Sequence, residues 1–111
     1  MADTILPTVI LDRVAQRFRI LSDRSRLQLV NTLLVHGELN VSELVKLTQQ
    51  KQTSVSKHLM ALAREGILKR RKEGLKVYYS LGDPTVGQLC LLICERLKEE
   101  VDEAAASLTI G

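Results

Sequence analysis

Apolar residues recur at helical spacing through the first third of the chain. A repeat of every three or four residues predicts an amphipathic helix over residues 8–21, with Ile10, Val14, Phe18 and Leu21 on its apolar side. Asp23 suits the N-cap of a second helix, and Gly37 suits its end. The residues expected on the buried side of this second helix are Leu27, Val30, Leu33 and Leu34.

Two shorter helices are predicted next, separated by a polar connection. Asn40 and Glu43 form a capping-box pattern in front of an apolar run, so a third helix is expected to end near Thr48. The run TQQKQ then serves as a tight connection. A fourth helix is predicted from Thr53 to Glu65 with Gly66 as its stop; its packing residues are Val55, Leu59 and Leu62.

After Gly66 the period changes from helix to strand. ILKRR and LKVYYSL are joined by KEG, and their alternation predicts a β-hairpin. Pro84 suits the first turn of a last helix that runs to about Ser107. The chain of 111 residues is therefore expected to form a single, mostly α-helical domain with the order α-α-α-α-β-β-α.

The charge is distributed unevenly. Residues 46–79 contain nine basic and two acidic residues, a balance of +7, and the net charge of +3 leaves −4 for the rest of the chain. A basic region on an otherwise acidic protein indicates a polyanionic partner, and a solvated lysine-rich face is the alternative.

The third and fourth helices resemble a helix-turn-helix, whose second helix enters the major groove of DNA by its N-terminal end. Small hydroxyls and amides there can approach phosphates and base edges, and Gln52 could read adenine bidentately. The basic hairpin would add backbone or minor-groove contacts, which makes the arrangement a winged helix. The predicted DNA contacts are Gln52, Thr53, Ser54, Ser56, Lys57 and His58 in the helix and Arg70, Arg71, Lys72 and Lys76 in the hairpin.

With these motifs the sequence resembles the ArsR/SmtB-type winged-helix repressors of bacteria and archaea over about residues 15–100. The resemblance lies in ILSDRSRLQLVNTLL, in QTSVSKHLMALAREGILKRRKEGLKVYYSL, and in the Ser-x-His-Leu pattern from Ser56 to Leu59. It implies a homodimer, and the apolar residues of the first and last helices, which exceed what one small domain can bury, predict that these helices form the interface. Such a dimer would bind an inverted-repeat operator in double-stranded DNA and release it when an inducer binds.

The metal sites of this family are incomplete in the sequence. Asn40 and Ser42 stand where thiolates would bind a soft metal in the third helix. In the last helix Asp83 and Glu99 match the family's zinc ligands, but the histidine positions hold Thr85 and Arg96, and arginine cannot act as a ligand. No metal or other cofactor is therefore expected, and the sequence does not identify the inducer.

Cys90 and Cys94 lie one turn apart in an apolar part of the last helix. They belong to a predicted dimer seam formed by Val86, Cys90, Ile93, Leu97, Val101 and Ala104. Two interpretations stay open. The thiols are either small packing residues, or a sensor that coordinates a soft ion or oxidises, with a bridge between subunits as the feasible disulfide.

Other functions have less support. No glycine-rich phosphate loop or catalytic constellation is present, so no enzymatic activity is expected. Three aromatic residues are too few for single-stranded nucleic acid binding by stacking. The main alternative is a winged-helix protein-interaction module, or a regulator without a small-ion inducer. MADTILPTVIL contains no basic leader, and no apolar run approaches 20 residues, which predicts a cytoplasmic protein without a membrane segment.

Overall fold

Five helices and a three-stranded antiparallel sheet make up residues 6–110, the part of the chain that the computed structural model describes. The first five residues, on which the predicted lack of a leader rests in part, lie outside this range. In chain order the elements are α1 (Thr8–Leu21), α2 (Arg24–His36), β1 (Glu38–Asn40), α3 (Val41–Thr48), α4 (Gln52–Arg64), β2 (Leu68–Glu73), β3 (Lys76–Leu81) and α5 (Pro84–Ile110).

The second helix begins and ends as predicted, but its buried side differs. The Asp23 carboxylate accepts a hydrogen bond of 3.0 Å from the backbone nitrogen of Arg26, and this bond lowers the pKa of Asp23. Leu29, Val30 and Leu33 are buried. The prediction of Leu27 and Leu34 as buried was wrong, since each is 40% exposed. They lie seven residues apart on a neighbouring stripe that faces grooves along α5.

The helix-turn-helix is held against α2 by side-chain amides. The predicted capping box at Asn40 and Glu43 is present and starts α3. At the connection, Gln49 has a left-handed φ of 57°, and the amide of Gln50 donates to the Ser25 carbonyl oxygen at 3.2 Å. The α4 helix begins and ends one residue earlier than predicted. The orientation of α4 is therefore set by this turn and by the apolar side chains of α4 that are buried in the hydrophobic core.

The sheet has one strand more than predicted. The hairpin of β2 and β3 is confirmed, but β1 also pairs with β3, so the strand order is β1-β3-β2. Leu39 lies opposite Tyr79, and both side chains are buried. The described order is thus α-α-β-α-α-β-β-α. A strand of three residues is too short to show the alternation by which strands are recognised in a sequence.

The last helix leaves the core after its first two turns. Val86 is buried, and Cys90 packs partly against the core, so these two members of the predicted dimer seam belong to the domain itself. Gly87 allows the close approach, because a Cβ there would lie 2.9 Å from Cδ2 of Leu34. From Leu91 to Leu108 every side chain of α5 is exposed. The outer turns of α5 therefore lie outside the hydrophobic core of the domain.

Candidate nucleic-acid interface

The fourth helix presents a polar first turn because its apolar residues anchor it by the opposite side. Val55, Leu59 and Leu62 are fully buried, as predicted. Lys51 is the N-cap residue and makes no side-chain capping bond. The hydroxyl groups of the first turn are consequently not used to cap the helix, as Ser and Thr side chains often are.

The helix residues predicted to contact DNA fall into two groups. Within residues 6–110, five of them make no side-chain hydrogen bond or ion pair: Gln52, Thr53, Ser54, Ser56 and Lys57. Gln52, Thr53 and Lys57 are exposed, and the two serines are half-buried. Their donors and acceptors are available to a ligand.

His58 differs from these five because the fold already uses one of its ring nitrogens. Its Nδ1 accepts a hydrogen bond of 3.1 Å from Nε of Arg26, and the ring is half-buried. In the neutral ring the proton then lies on Nε2. Any contact of His58 with DNA is limited to donation from Nε2.

The wing has two faces with different electrostatics. In β2 and β3, Arg70 pairs with Tyr79, and Lys72 pairs with Val77, so these two cations share the face that contains the buried tyrosine. Arg71 lies on the opposite face. Arg70, Lys72 and Lys76 form no ion pair with the described residues.

Arg71, by contrast, is bound by two carboxylates and an aromatic ring of the same sheet. Its Nε and Nη2 donate to the two carboxylate oxygens of Glu38 at 3.1 and 2.7 Å, and its Nη1 donates to Glu73 at 2.7 Å. The guanidinium also lies 4.6 Å from the centre of the Tyr78 ring. The hydrogen bonds with Glu38 and Glu73 raise the pKa of Arg71 and, in return, Arg71 lowers the pKa of Glu38. Arg71 therefore joins β1 to β2 across β3.

One cation on α4, the helix expected to enter the major groove, has no role that the sequence predicted. Arg64 is exposed in the last turn of α4 and borders the groove between α4 and the hairpin. The sequence shows Arg64 as one of nine basic residues between positions 46 and 79. Only the packing of the hairpin against α4 shows that it shares a groove with Arg70.

The two cysteines border an apolar groove of 580 Å³ along α5, which Leu27 of α2 also lines. Burial raises the pKa of the Cys90 thiol, so the reactive thiolate is disfavoured at neutral pH. Cys94 is exposed. The two thiols thus share a surface but differ in accessibility.

The family's metal-site positions have other partners in this structure. Asp83 accepts a hydrogen bond of 2.8 Å from Nη1 of Arg17. Arg96 forms ion pairs with Glu99 at 3.1 Å and with Glu100 at 3.3 Å. Within residues 6–110 no group of three or more His, Cys, Asp or Glu side chains is placed to hold a metal ion.

Over the same residues, no helix is both long and apolar enough to span a bilayer.

Known proteins resemble this chain in sequence. Residues 23–70 match the family model of the bacterial regulatory proteins of the arsR family. The chain is 42% identical to a cadmium resistance transcriptional regulatory protein CadC homolog of Staphylococcus aureus, over 68% of this chain and 63% of that protein, so it spans less than two thirds of that relative. It is 34% identical to the transcriptional repressor PagR of Bacillus anthracis, over 71% of this chain and 79% of that one.

The fold has solved relatives as well. A homodimeric winged helix-turn-helix DNA-binding domain of Mycobacterium bovis, determined by NMR, superposes with a TM-score of 0.75 at 28% identity, covering 89% of this chain and 91% of that one. The predicted fold class, a winged helix-turn-helix, is confirmed. With a family model and a repressor of 34% identity in agreement, this chain belongs to the arsR family of bacterial transcriptional regulators.

Proposed function

We propose that this chain is a cytoplasmic, homodimeric repressor that binds an inverted-repeat operator in double-stranded DNA and leaves it when an inducer binds. The observation that carries the proposal is the unpaired polar first turn of α4 beside the unpaired cations of the wing. A recognition helix inserted by its N-terminal end would bring these hydroxyl, amide and ammonium groups to base edges and phosphates. Gln52 is the residue that we assign to adenine recognition.

The apolar surface of α1 and α5 supports the dimer. Ile10 and Phe18 on α1 are each about half exposed, as are Ile93 and Leu97 on α5. Ile93 and Leu97 line one apolar groove together with Val101, and an exposed apolar patch usually marks an interface in a soluble protein. A second copy related by two-fold symmetry would cover it and would place two recognition helices on successive major grooves.

The alternative function is a protein-interaction module with the same fold. Such a module would present a contiguous apolar patch on its recognition helix. Met60 is the one large apolar residue exposed on α4, and the outward positions near it are polar or basic. This composition favours a nucleic acid over a protein surface.

A gel shift against the DNA upstream of the protein's own coding region tests the proposal. We expect a discrete complex with this DNA and weaker binding to a scrambled duplex of equal length, with both affinities falling steeply as salt increases. Equal binding to both duplexes at every salt concentration would contradict sequence recognition. Absence of binding to any duplex would favour the interaction module.

The structure also predicts that neighbouring wing cations contribute differently to DNA affinity. Lys72→Gln should weaken binding to operator and scrambled duplex alike and reduce the salt slope by about 0.9, the value for one lost phosphate contact. The double variant Glu38→Gln, Arg71→Gln removes an internal ion pair without changing the net charge, so we expect its salt slope to match the wild type. A slope reduced equally in both variants would identify Arg71 as a phosphate contact.

Sensing by the thiols is the part of the proposal that concerns induction. If Cys90 and Cys94 sense, then peroxide, polysulfide or a thiophilic metal should release the operator from the wild type but not from a Cys90→Ser, Cys94→Ser variant. Because burial raises the pKa of Cys90, we expect the exposed Cys94 to react first and Cys94→Ser to have the larger single effect. Operator retention by both proteins under all three treatments would leave the cysteines as packing residues.

A further inference from the structure

A groove of 540 Å³ separates the outward side of α4 from the wing. We call it the wing groove. Ser56 and Met60 line it from the helix, and Tyr79 lines it from the sheet. Two arginines border it from opposite elements, with Arg64 in the last turn of α4 and Arg70 on β2.

Both of these guanidinium groups lack a partner in the described part of the chain, since neither makes a hydrogen bond, an ion pair or a ring contact. The carboxylates nearest to these two arginines in sequence form ion pairs with other arginines. Glu65 is bound by Arg17, and Glu73 is bound by Arg71. Two unpaired cations on one groove repel each other, and an anion seated between them would relieve the repulsion.

The position of the wing groove indicates which anion would bind there. In the proposed complex, α4 occupies the major groove and the wing reaches the adjacent minor groove. The sugar–phosphate strand that divides these two grooves must then cross the space between α4 and the wing. The wing groove occupies this space.

We propose that Arg64 and Arg70 clamp a backbone phosphate of the DNA strand that runs between the recognition helix and the wing. Guanidinium groups bind phosphate bidentately, which gives geometric selectivity in addition to charge. The hydroxyl of Ser56 lines the same groove and is a third donor to this phosphate. The clamp rests on the proposed function, because it requires operator DNA, and it adds Arg64 in the last turn of α4 to the contacts proposed for the first turn of that helix.

A series of operator duplexes, each with one phosphate replaced by a neutral methylphosphonate, tests the clamp. With the wild type, we expect one position in each half-site to lose about 10- to 100-fold in affinity, the range for a charge-assisted hydrogen bond. Arg64→Ala should lose part of this affinity on the unmodified operator and show no additional loss on the duplex neutralised at that position. Arg64→Lys should recover part of the affinity, since it keeps the charge but not the bidentate geometry.

Lys69→Ala is the matched control. Lys69 is an exposed cation on the same strand as Arg70, but it lies on the opposite face of the sheet. Any loss of operator affinity caused by Lys69→Ala should add in full to the loss caused by a methylphosphonate at each position. Thermal unfolding of both variants checks that the fold is retained.

Two outcomes would overturn the clamp in distinguishable ways. If the wild type binds its operator but the effect of Arg64→Ala adds in full at every neutralised phosphate, the clamp is wrong and the proposed function stands. If the wild type binds no duplex, both proposals fail together. Coupling of Arg64 to a single phosphate in each half-site is the result that supports the clamp.

Discussion

Replacing Leu97 with glutamate is expected to convert the protein into a monomer and to abolish tight operator binding. Leu97 is 53% exposed in the middle of α5, between Ile93 and Val101, which are also exposed. In a two-fold dimer through α5, the substitution places two carboxylates in an apolar interface, at a cost of several kcal/mol for each buried charge. Because the proposed dimer would bind both half-sites at once, losing the dimer should lower operator affinity by about 10²–10⁴-fold.

Sedimentation and gel shift measure the two parts of this prediction separately. Sedimentation at micromolar concentration should show a dimer for the wild type and a monomer for Leu97→Glu. A duplex with a single half-site is the internal control, and both proteins should bind it equally because α4 and the wing are unchanged. Leu75→Glu, at a fully exposed position in the hairpin turn, should remain dimeric. A dimeric Leu97→Glu protein would show that α5 is not the interface.

Replacing Arg17 with methionine is expected to lower the free energy of unfolding by about 2–3 kcal/mol. This is less than the roughly 3–5 kcal/mol typical of breaking a buried ion pair, because the Arg17 side chain is 32% exposed. Arg17 connects α1 to the C-terminal end of α4 and to the start of α5. Its Nη2 donates to the Glu65 carbonyl oxygen at 2.8 Å, and its Nη1 donates to Asp83 at 2.8 Å. The Glu65 side chain is only 9% exposed, and Arg17 is 3.5 Å from its Oε1.

The loss should come mainly from the carboxylate that is left behind. Oε1 of Glu65 is buried and has no hydrogen-bond partner, so removing Arg17 leaves this charge uncompensated. The double variant Arg17→Met, Glu65→Gln should therefore regain more than half of the lost stability in urea unfolding. Arg19→Met, on the exposed side of the same helix, should change stability by less than about 0.5 kcal/mol. If the double variant were less stable than Arg17→Met, the burial of Glu65 would not be the cause.

The sequence alone determined those features that depend on neighbouring residues. Helical repeats placed α1 to α5 within a few residues of their bounds, because an apolar stripe shows wherever a helix is buried on one side. The capping box at Asn40 could be predicted from the sequence because both of its hydrogen bonds lie within four residues. Alternation and a glycine turn likewise identified the hairpin. These signals, together with the family resemblance, were sufficient to predict a winged helix-turn-helix.

Tertiary structure decided which of the predicted site residues are free. A charge count treats Arg70 and Arg71 alike, yet Arg71 is bound by Glu38 across 33 residues of sequence. His58 is held by Arg26 over a separation of 32 residues, and Arg64 borders the same groove as Arg70 only because the hairpin folds back over α4. Pairings between residues distant in sequence depend on how the elements pack and leave no local pattern. For this reason the sequence could locate the basic surface, and only the packing could separate the cations that hold the fold together from those available to DNA.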